Sequence, residues 1–235
     1  MADVLNRRRR RHGRQAGGKQ SSRMDAALEY ASLGWPVCRG ASPSSDGARA
    51  CGCDRMGCPA PAEHPVSAAW AVEATTDPDT IRRWWSAAPE ANVILPTGRV
   101  FDVFDVPAGA GVMALARMDR SGTRPGPVAA VDAQRYLFFV ATRSPADEDE
   151  WWSCHLDCVP ETVEETPGLR WHCRNSYVLA APSPLPSGGA ASWIRPPRLP
   201  GRPSNPLPGG APALELPDPI AVLAVLADAC EEFTS

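Results

Sequence analysis

The stretch Asn92-Val-Ile-Leu-Pro-Thr-Gly-Arg-Val-Phe-Asp-Val-Phe-Asp-Val-Pro107 constrains this chain more than any other. It holds two apolar runs, 93–95 and 100–106, split by Pro96-Thr97-Gly98, whose proline and glycine suit a tight turn. Two neighbouring strands are therefore predicted. In the second run Asp102 and Asp105 are separated by Val103 and Phe104, so the period-two geometry of a strand sends the two carboxylates to opposite faces. They cannot both hold one ion without a bulge. Any chemistry is expected at this stretch, with the rest of the chain as its cover.

A chain of 235 residues, 43% of them hydrophobic, can bury a real core, and its size favours one domain with tails over two equal domains. No apolar run approaches a membrane span, and the N-terminal arginines have no apolar segment behind them, which argues against a secretory signal. The expectation is a cytoplasmic chain with no membrane partner. In a reducing compartment eight cysteines read as thiols or metal ligands, and not as bridges.

Charge is unevenly spread. Residues 1–23 carry Arg7, Arg8, Arg9, Arg10, Arg11, Arg14, Lys19 and Arg23 against Asp3 alone, a balance of +7, so the overall −3 leaves −10 for the remainder. A protein that grips a phosphate backbone presents a positive face, because released counterions supply much of the affinity. Only the arm offers one here. It reads either as a solvated basic tail or as a loose contact to nucleic acid or an acidic protein partner through Arg7 to Arg11 and Arg14.

The organisation predicted is a disordered basic arm (1–23), a folded domain (24–200) with an irregular loop at 51–64, a Pro/Gly-rich linker (201–217) and a C-terminal helix (218–235). Helices are expected at 24–33 ended by Gly34, from Pro78 to about Ala88 behind an Asp/Thr cap, at 112–120, at 145–158 and at 219–233. Strands are expected at 35–39, 128–131, 136–141, 169–173, 177–181 and 192–195, the pair 128–131 and 136–141 as a hairpin or as neighbours. Strands and helices without regular βαβ alternation predict an α+β fold.

Cys51, Cys53, Cys58 and His64 lie within one turn-rich loop. Zinc prefers thiolate and imidazole in a tetrahedron, and a loop this long needs something to hold it, which metal binding supplies. With all four ligand positions filled by protein, such a zinc is structural and not hydrolytic. A second collection, Cys154, His155, Cys158, His172 and Cys173, is weaker: on a strand His172 and Cys173 point to opposite faces, so these read as core or surface thiols. Cys38 and Cys230 read as small apolar residues.

Several segments, in order along the chain, resemble the N-terminal domain of bifunctional DNA primase/polymerases (prim-pol), of the archaeo-eukaryotic primase superfamily. They are Ala26-Ala-Leu-Glu-Tyr-Ala31 with Gly34-Trp-Pro-Val37, the Cys51 to His64-Pro65 loop, Thr75-Thr-Asp-Pro-Asp-Thr-Ile-Arg-Arg-Trp-Trp85, Asn92 with Pro96-Thr-Gly98, and Tyr177-Val-Leu-Ala-Ala-Pro-Ser183. The resemblance implies a central mixed or antiparallel sheet with flanking helices and a zinc-binding loop insertion. It also implies synthesis of nucleic acid from nucleoside triphosphates, as in DNA replication, at acidic residues that hold divalent metal beside a histidine.

The motifs that carry that chemistry depart from the family. Its Asp-x-Asp pair falls on Asp105-Val-Pro107, its Gly-Arg-His-Leu-Tyr-Phe stretch on Gln134-Arg-Tyr-Leu-Phe-Phe139 and its Leu-Asp-Val-Arg on Leu169-Arg-Trp-His172. Pro107, Tyr136 and Arg170 thus stand where an acid, a histidine and an acid are expected. Two-metal phosphoryl transfer needs several anionic oxygens around its ions, and one carboxylate does not suffice. An Asp105–Arg170 ion pair would neutralise the site internally. The leading expectation is a degenerate, non-catalytic binding or regulatory module. Two rivals stay open: an active primase/polymerase using Mg or Mn, and a protein-interaction scaffold with no nucleic-acid role. No Ser/His/Asp order emerges from the spacing, so a hydrolase is not expected.

Overall fold

Eight strands form among the described residues, which in this computed structural model are 16–44, 50–53, 55–142, 165–198 and 214–235. In chain order they are β1 (Cys38–Gly40), β2 (Asn92–Pro96), β3 (Phe101–Pro107), β4 (Val128–Val131), β5 (Arg135–Ala141), β6 (Arg170–His172), β7 (Tyr177–Leu179) and β8 (Ala191–Arg195). The helices are α1 (Ala16–Ser32), α2 (Trp70–Glu73), α3 (Pro78–Ala87), α4 (Ala108–Ser121) and α5 (Pro219–Thr234). The fold is α+β, as expected. No described helix is long and apolar enough to cross a membrane.

The strands divide between two antiparallel sheets, one of order β1-β2-β7 and one of order β6-β3-β5-β4-β8. The hairpin expected at 128–141 is present as β4 and β5. The two strands read as neighbours in 92–107 are consecutive but unpaired: β2 joins the first sheet and β3 the second. Strands β6 and β7 part in the same way.

The reason lies at two crossovers that clasp each other. Thr97 donates its backbone N–H to the Ser176 carbonyl (2.9 Å) and its hydroxyl to the Cys173 carbonyl (2.6 Å). The chain leaving β2 is therefore held by the β6–β7 turn and does not fold back as a hairpin.

Strand β3 is buried on both faces. Phe101 and Val103, with Leu137 and Phe139 of β5, belong to a core that includes Trp35, whose ring stacks on Phe139 at 5.3 Å and lies 4.5 Å from Phe101. Phe104 and Val106, with Phe138 and Val140, form a second core beneath α4 and α5. Asp102 and Asp105 accordingly sit on opposite faces, opposite Val140 and Leu137. Helix α3 starts as predicted, with the Asp77 carboxylate accepting from the N–H groups of Asp79 and Thr80 and Pro78 just inside.

Two helices begin earlier than periodicity suggested. α1 is already helical at Ala16, the first described residue, well ahead of Met24. α4 starts at Ala108 and not at Val112, running through a glycine-rich stretch that reads as loop. The small residues are needed there: a Cβ on Gly109 would lie 2.2 Å from the Phe233 ring of α5, and one on Gly111 2.6 Å from the Tyr136 ring. Tertiary packing overrides propensity. The helix expected at 145–158, with Cys154 and Cys158, and the arginines Arg7 to Arg11 and Arg14 lie outside the described residues.

Cys38 and Cys230 are buried, in line with their reading as apolar residues. Burial, with a smaller push from Glu73, raises the Cys38 thiol to about 12, and burial raises Cys230 to about 11. Thiolate is the reactive form, so iodoacetamide at pH 8 is expected to spare both in the folded protein and to modify both in urea, as read by mass spectrometry. From the ordinary thiol value of 9.0 up to about 12 the folded state keeps a Cys38 proton that the unfolded chain releases, so stability falls as pH rises through that window.

Candidate metal centre and adjoining cleft

The loop from Cys51 to His64 is pinned at both ends to the chain around β1. Gly52 N–H bonds the Ser42 carbonyl, Ala41 N–H bonds the His64 carbonyl, and Gly40 bridges to Pro65. The Asn92 side chain reaches from β2 to donate to the carbonyls of Ala62 (2.9 Å) and Pro184 (3.0 Å). Within this frame Cys51, Cys53, Cys58 and His64 bring three sulfurs and one imidazole nitrogen within 4.8 Å of one another. A tetrahedral ion with bonds of about 2.0–2.3 Å separates its ligands by roughly 3.5–4 Å, so the set fits a metal.

Protonation fits as well. His64 Nδ1 lies 2.8 Å from the Pro65 carbonyl, which can only accept, so Nδ1 carries the proton and Nε2 presents its lone pair 3.5 Å from Cys51 Sγ. Burial alone raises the Cys51 thiol, but the N–H groups of Ala62 and Cys53 and the Cys53 and Cys58 thiols outweigh it and hold it below the usual thiol value. A thiolate is what a metal requires, and at Cys58, raised by burial and by the Cys53 and Cys51 thiols, a bound ion would have to displace the proton itself. Among the described residues this is the one group of three or more such ligand atoms gathered so closely.

The same loop forms one wall of a cleft of about 510 Å³. Glu63 enters it from the loop, Asp105 from β3, Arg135 from β5, Arg170 and His172 from β6, and Ser176 from the turn after β6. Asp105 is 5% exposed and surrounded by donors. Arg135 Nε lies 2.6 Å from its Oδ1, His172 Nε2 3.5 Å and Arg170 Nε 3.9 Å from its Oδ2. Arg135 also donates to the carbonyls of Asp105 and Gly168. Burial pushes the Glu63 carboxyl above its ordinary value, with the Asp105 charge adding to the shift and Arg170 opposing it.

Of the positions singled out in the sequence, the cleft unites Asp105 and Arg170, which face each other across β3 and β6. Pro107 ends β3 and packs against Gly168. Tyr136 sits on the other face of β5, over Gly111 of α4. The β5 residue that meets Asp105 is Arg135, which sequence reasoning missed. Its signal was present: in a strand Arg135 shares the face of Leu137, but that matters only once Leu137 is known to lie opposite Asp105. His172 was set aside as a metal ligand, yet it stands beside Asp105, while Cys173 lies on the side of Asp102, whose charge raises it after burial does.

The family model for "Bifunctional DNA primase/polymerase, N-terminal" matches residues 27–210. No curated protein matches the chain.

Proposed function

The chain belongs to the bifunctional DNA primase/polymerase N-terminal family, and from that premise we propose that it keeps the scaffold without metal-dependent polymerisation and serves as a binding or regulatory module in DNA-related processes. One observation carries this reading. Asp105, the acid that matches the family motif, is already neutralised by Arg135 at 2.6 Å, with Arg170 and His172 on its second oxygen.

Two-metal phosphoryl transfer needs several anionic oxygens converging on the ions, against the charge of a triphosphate. Here two guanidinium groups, which do not lose their protons, flank the one matching carboxylate. Glu63 lines the same cleft from another element, and burial raises its carboxyl above its ordinary value.

The Cys51, Cys53, Cys58 and His64 group is assigned a structural zinc. Its residues leave no open coordination position, so its contribution is to hold the loop and the cleft wall in place. Thiolate ligands of this kind suit a reducing cytoplasm. The partner is assigned to the basic arm, through Arg7 to Arg11 and Arg14, since the −10 of the remaining chain repels a phosphate backbone.

Template-dependent nucleotide incorporation, with Mg or Mn supplied, tests the proposal. The full chain is expected to incorporate no nucleotide above background, and Asp105→Ala to leave that background unchanged. Robust incorporation that Asp105→Ala abolishes would restore the reading of an active polymerase. Replacing Arg7 to Arg11 and Arg14 by serine is expected to abolish salt-dependent DNA binding; binding that survives would move the contact to the folded body.

A further inference from the structure

We propose that the cleft is an acyl-transfer site in which Ser176 is the nucleophile, His172 its general base and Asp105 the residue that positions the imidazole, acting on small carboxylic esters. This goes beyond the reading above and does not depend on it. The three residues follow the order Asp105, His172, Ser176 in the chain, but their spacing shows nothing until β6 pairs with β3. His172 Nδ1 then lies 2.9 Å from Ser176 Oγ, and His172 Nε2 3.5 Å from Asp105 Oδ2.

Geometry assigns the protons. Asp105 can only accept, so Nε2 carries the hydrogen and Nδ1 offers its lone pair to the Ser176 hydroxyl, the arrangement a serine nucleophile requires. Arg135 occupies Asp105 Oδ1, and the imidazole takes Oδ2, where Arg170 Nε lies farther off at 3.9 Å. The Asp105–His172 separation is long for a hydrogen bond, as is common before substrate closes such a site. All three residues line the same cleft, about 510 Å³ in volume, whose other walls include Leu137, Val178 and Leu179.

The Ser176 hydroxyl is not needed to close the turn that bears it. Ser176 N–H already bonds the Cys173 carbonyl (3.2 Å), and the Ser176 carbonyl is held by Thr97 N–H (2.9 Å). The hydroxyl is thus available to substrate on a fixed backbone.

In the reaction Ser176 Oγ adds to the ester carbonyl as His172 Nδ1 takes its proton. The tetrahedral adduct collapses with cleavage of the carbonyl–alkoxy bond, and His172 returns the proton to the departing alcohol. Water then repeats the sequence on the acyl-serine, releasing the acid and restoring Ser176. Arg170, which lines the same cleft with its side chain 63% exposed, is the cation assigned to the developing oxyanion.

A fluorophosphonate carrying a fluorophore tests this on the full chain. Covalent labelling is expected, mapped to Ser176 by mass spectrometry and absent in Ser176→Ala. His172→Ala and His172→Gln are expected to slow labelling about 100-fold or more. Asp105→Asn is expected to displace the pH profile of the labelling rate, which a purely structural role would leave in place.

No adduct at Ser176 in the folded protein would overturn the proposal, as would full labelling rates in both His172 variants with unchanged melting temperatures. Nucleotide incorporation plays no part in this readout, so its failure leaves the polymerisation reading standing, and the reverse holds.

Discussion

Chelation is expected to release the Cys51 to His64 loop from the rest of the protein and to lower the melting temperature markedly. Freshly prepared protein is expected to hold close to one equivalent of zinc after dialysis, and Cys53→Ser or His64→Ala to lose it. Structural zinc contributes about 10–16 kcal/mol to the folding of isolated finger peptides. The cost here is a fraction of that, because both cores lie outside the loop and keep their own packing.

The damage does not stop at the loop. Ala62 joins the two sites: its N–H bonds Cys51 Sγ at 3.3 Å, its carbonyl accepts from Asn92, and the next residue is Glu63 in the cleft wall. Hydrogen exchange is expected to rise over 51–66 on chelation and, less strongly, over the cleft wall. Protein isolated without metal, yet fully protected over 51–66, would remove the basis for a metal-held loop.

Gly98→Ala is expected to cost at least about 4 kcal/mol or to prevent folding, the largest effect expected of a glycine-to-alanine change among the described residues. Gly98 has φ +83, where a Cβ is strained, and that Cβ would lie 2.1 Å from Arg174 Cα and 2.2 Å from its nitrogen. Both are backbone atoms of the turn that carries Ser176 and follows His172, so neither can step aside without opening the cleft. Gly34→Ala is the matched control. It shares the conformation, with φ +79, but meets nothing within 4 Å, and should cost about 1 kcal/mol, the backbone term alone. Urea midpoints that place the two variants level would show that the clasp between the crossovers is not what holds the sheets together.

Much of the local structure was legible. The cap at Asp77 and the hairpin of β4 and β5 follow from short-range patterns whose causes lie within a few residues. The Cys51, Cys53, Cys58 and His64 group was legible for the same reason, since one loop carries all four. The glycine-rich start of α4 was not, because its cause is the proximity of Phe233 and Tyr136, far away in sequence.

The cleft divides along the same line. Period two was enough to separate Asp102 from Asp105, and the family motif was enough to single out Asp105 and Arg170. It placed Tyr136 at the family's histidine position, but could not say which residue of β5 meets Asp105, which is Arg135. Nor could it join His172 to Asp105 on one side and to Ser176 on the other. Which face a side chain takes is decided by its own strand, since backbone geometry alternates whatever the neighbours are. Which side chain it meets there is decided by strand register and by the clasped crossovers that assign β6 and β7 to different sheets, and those exist only once distant segments have packed.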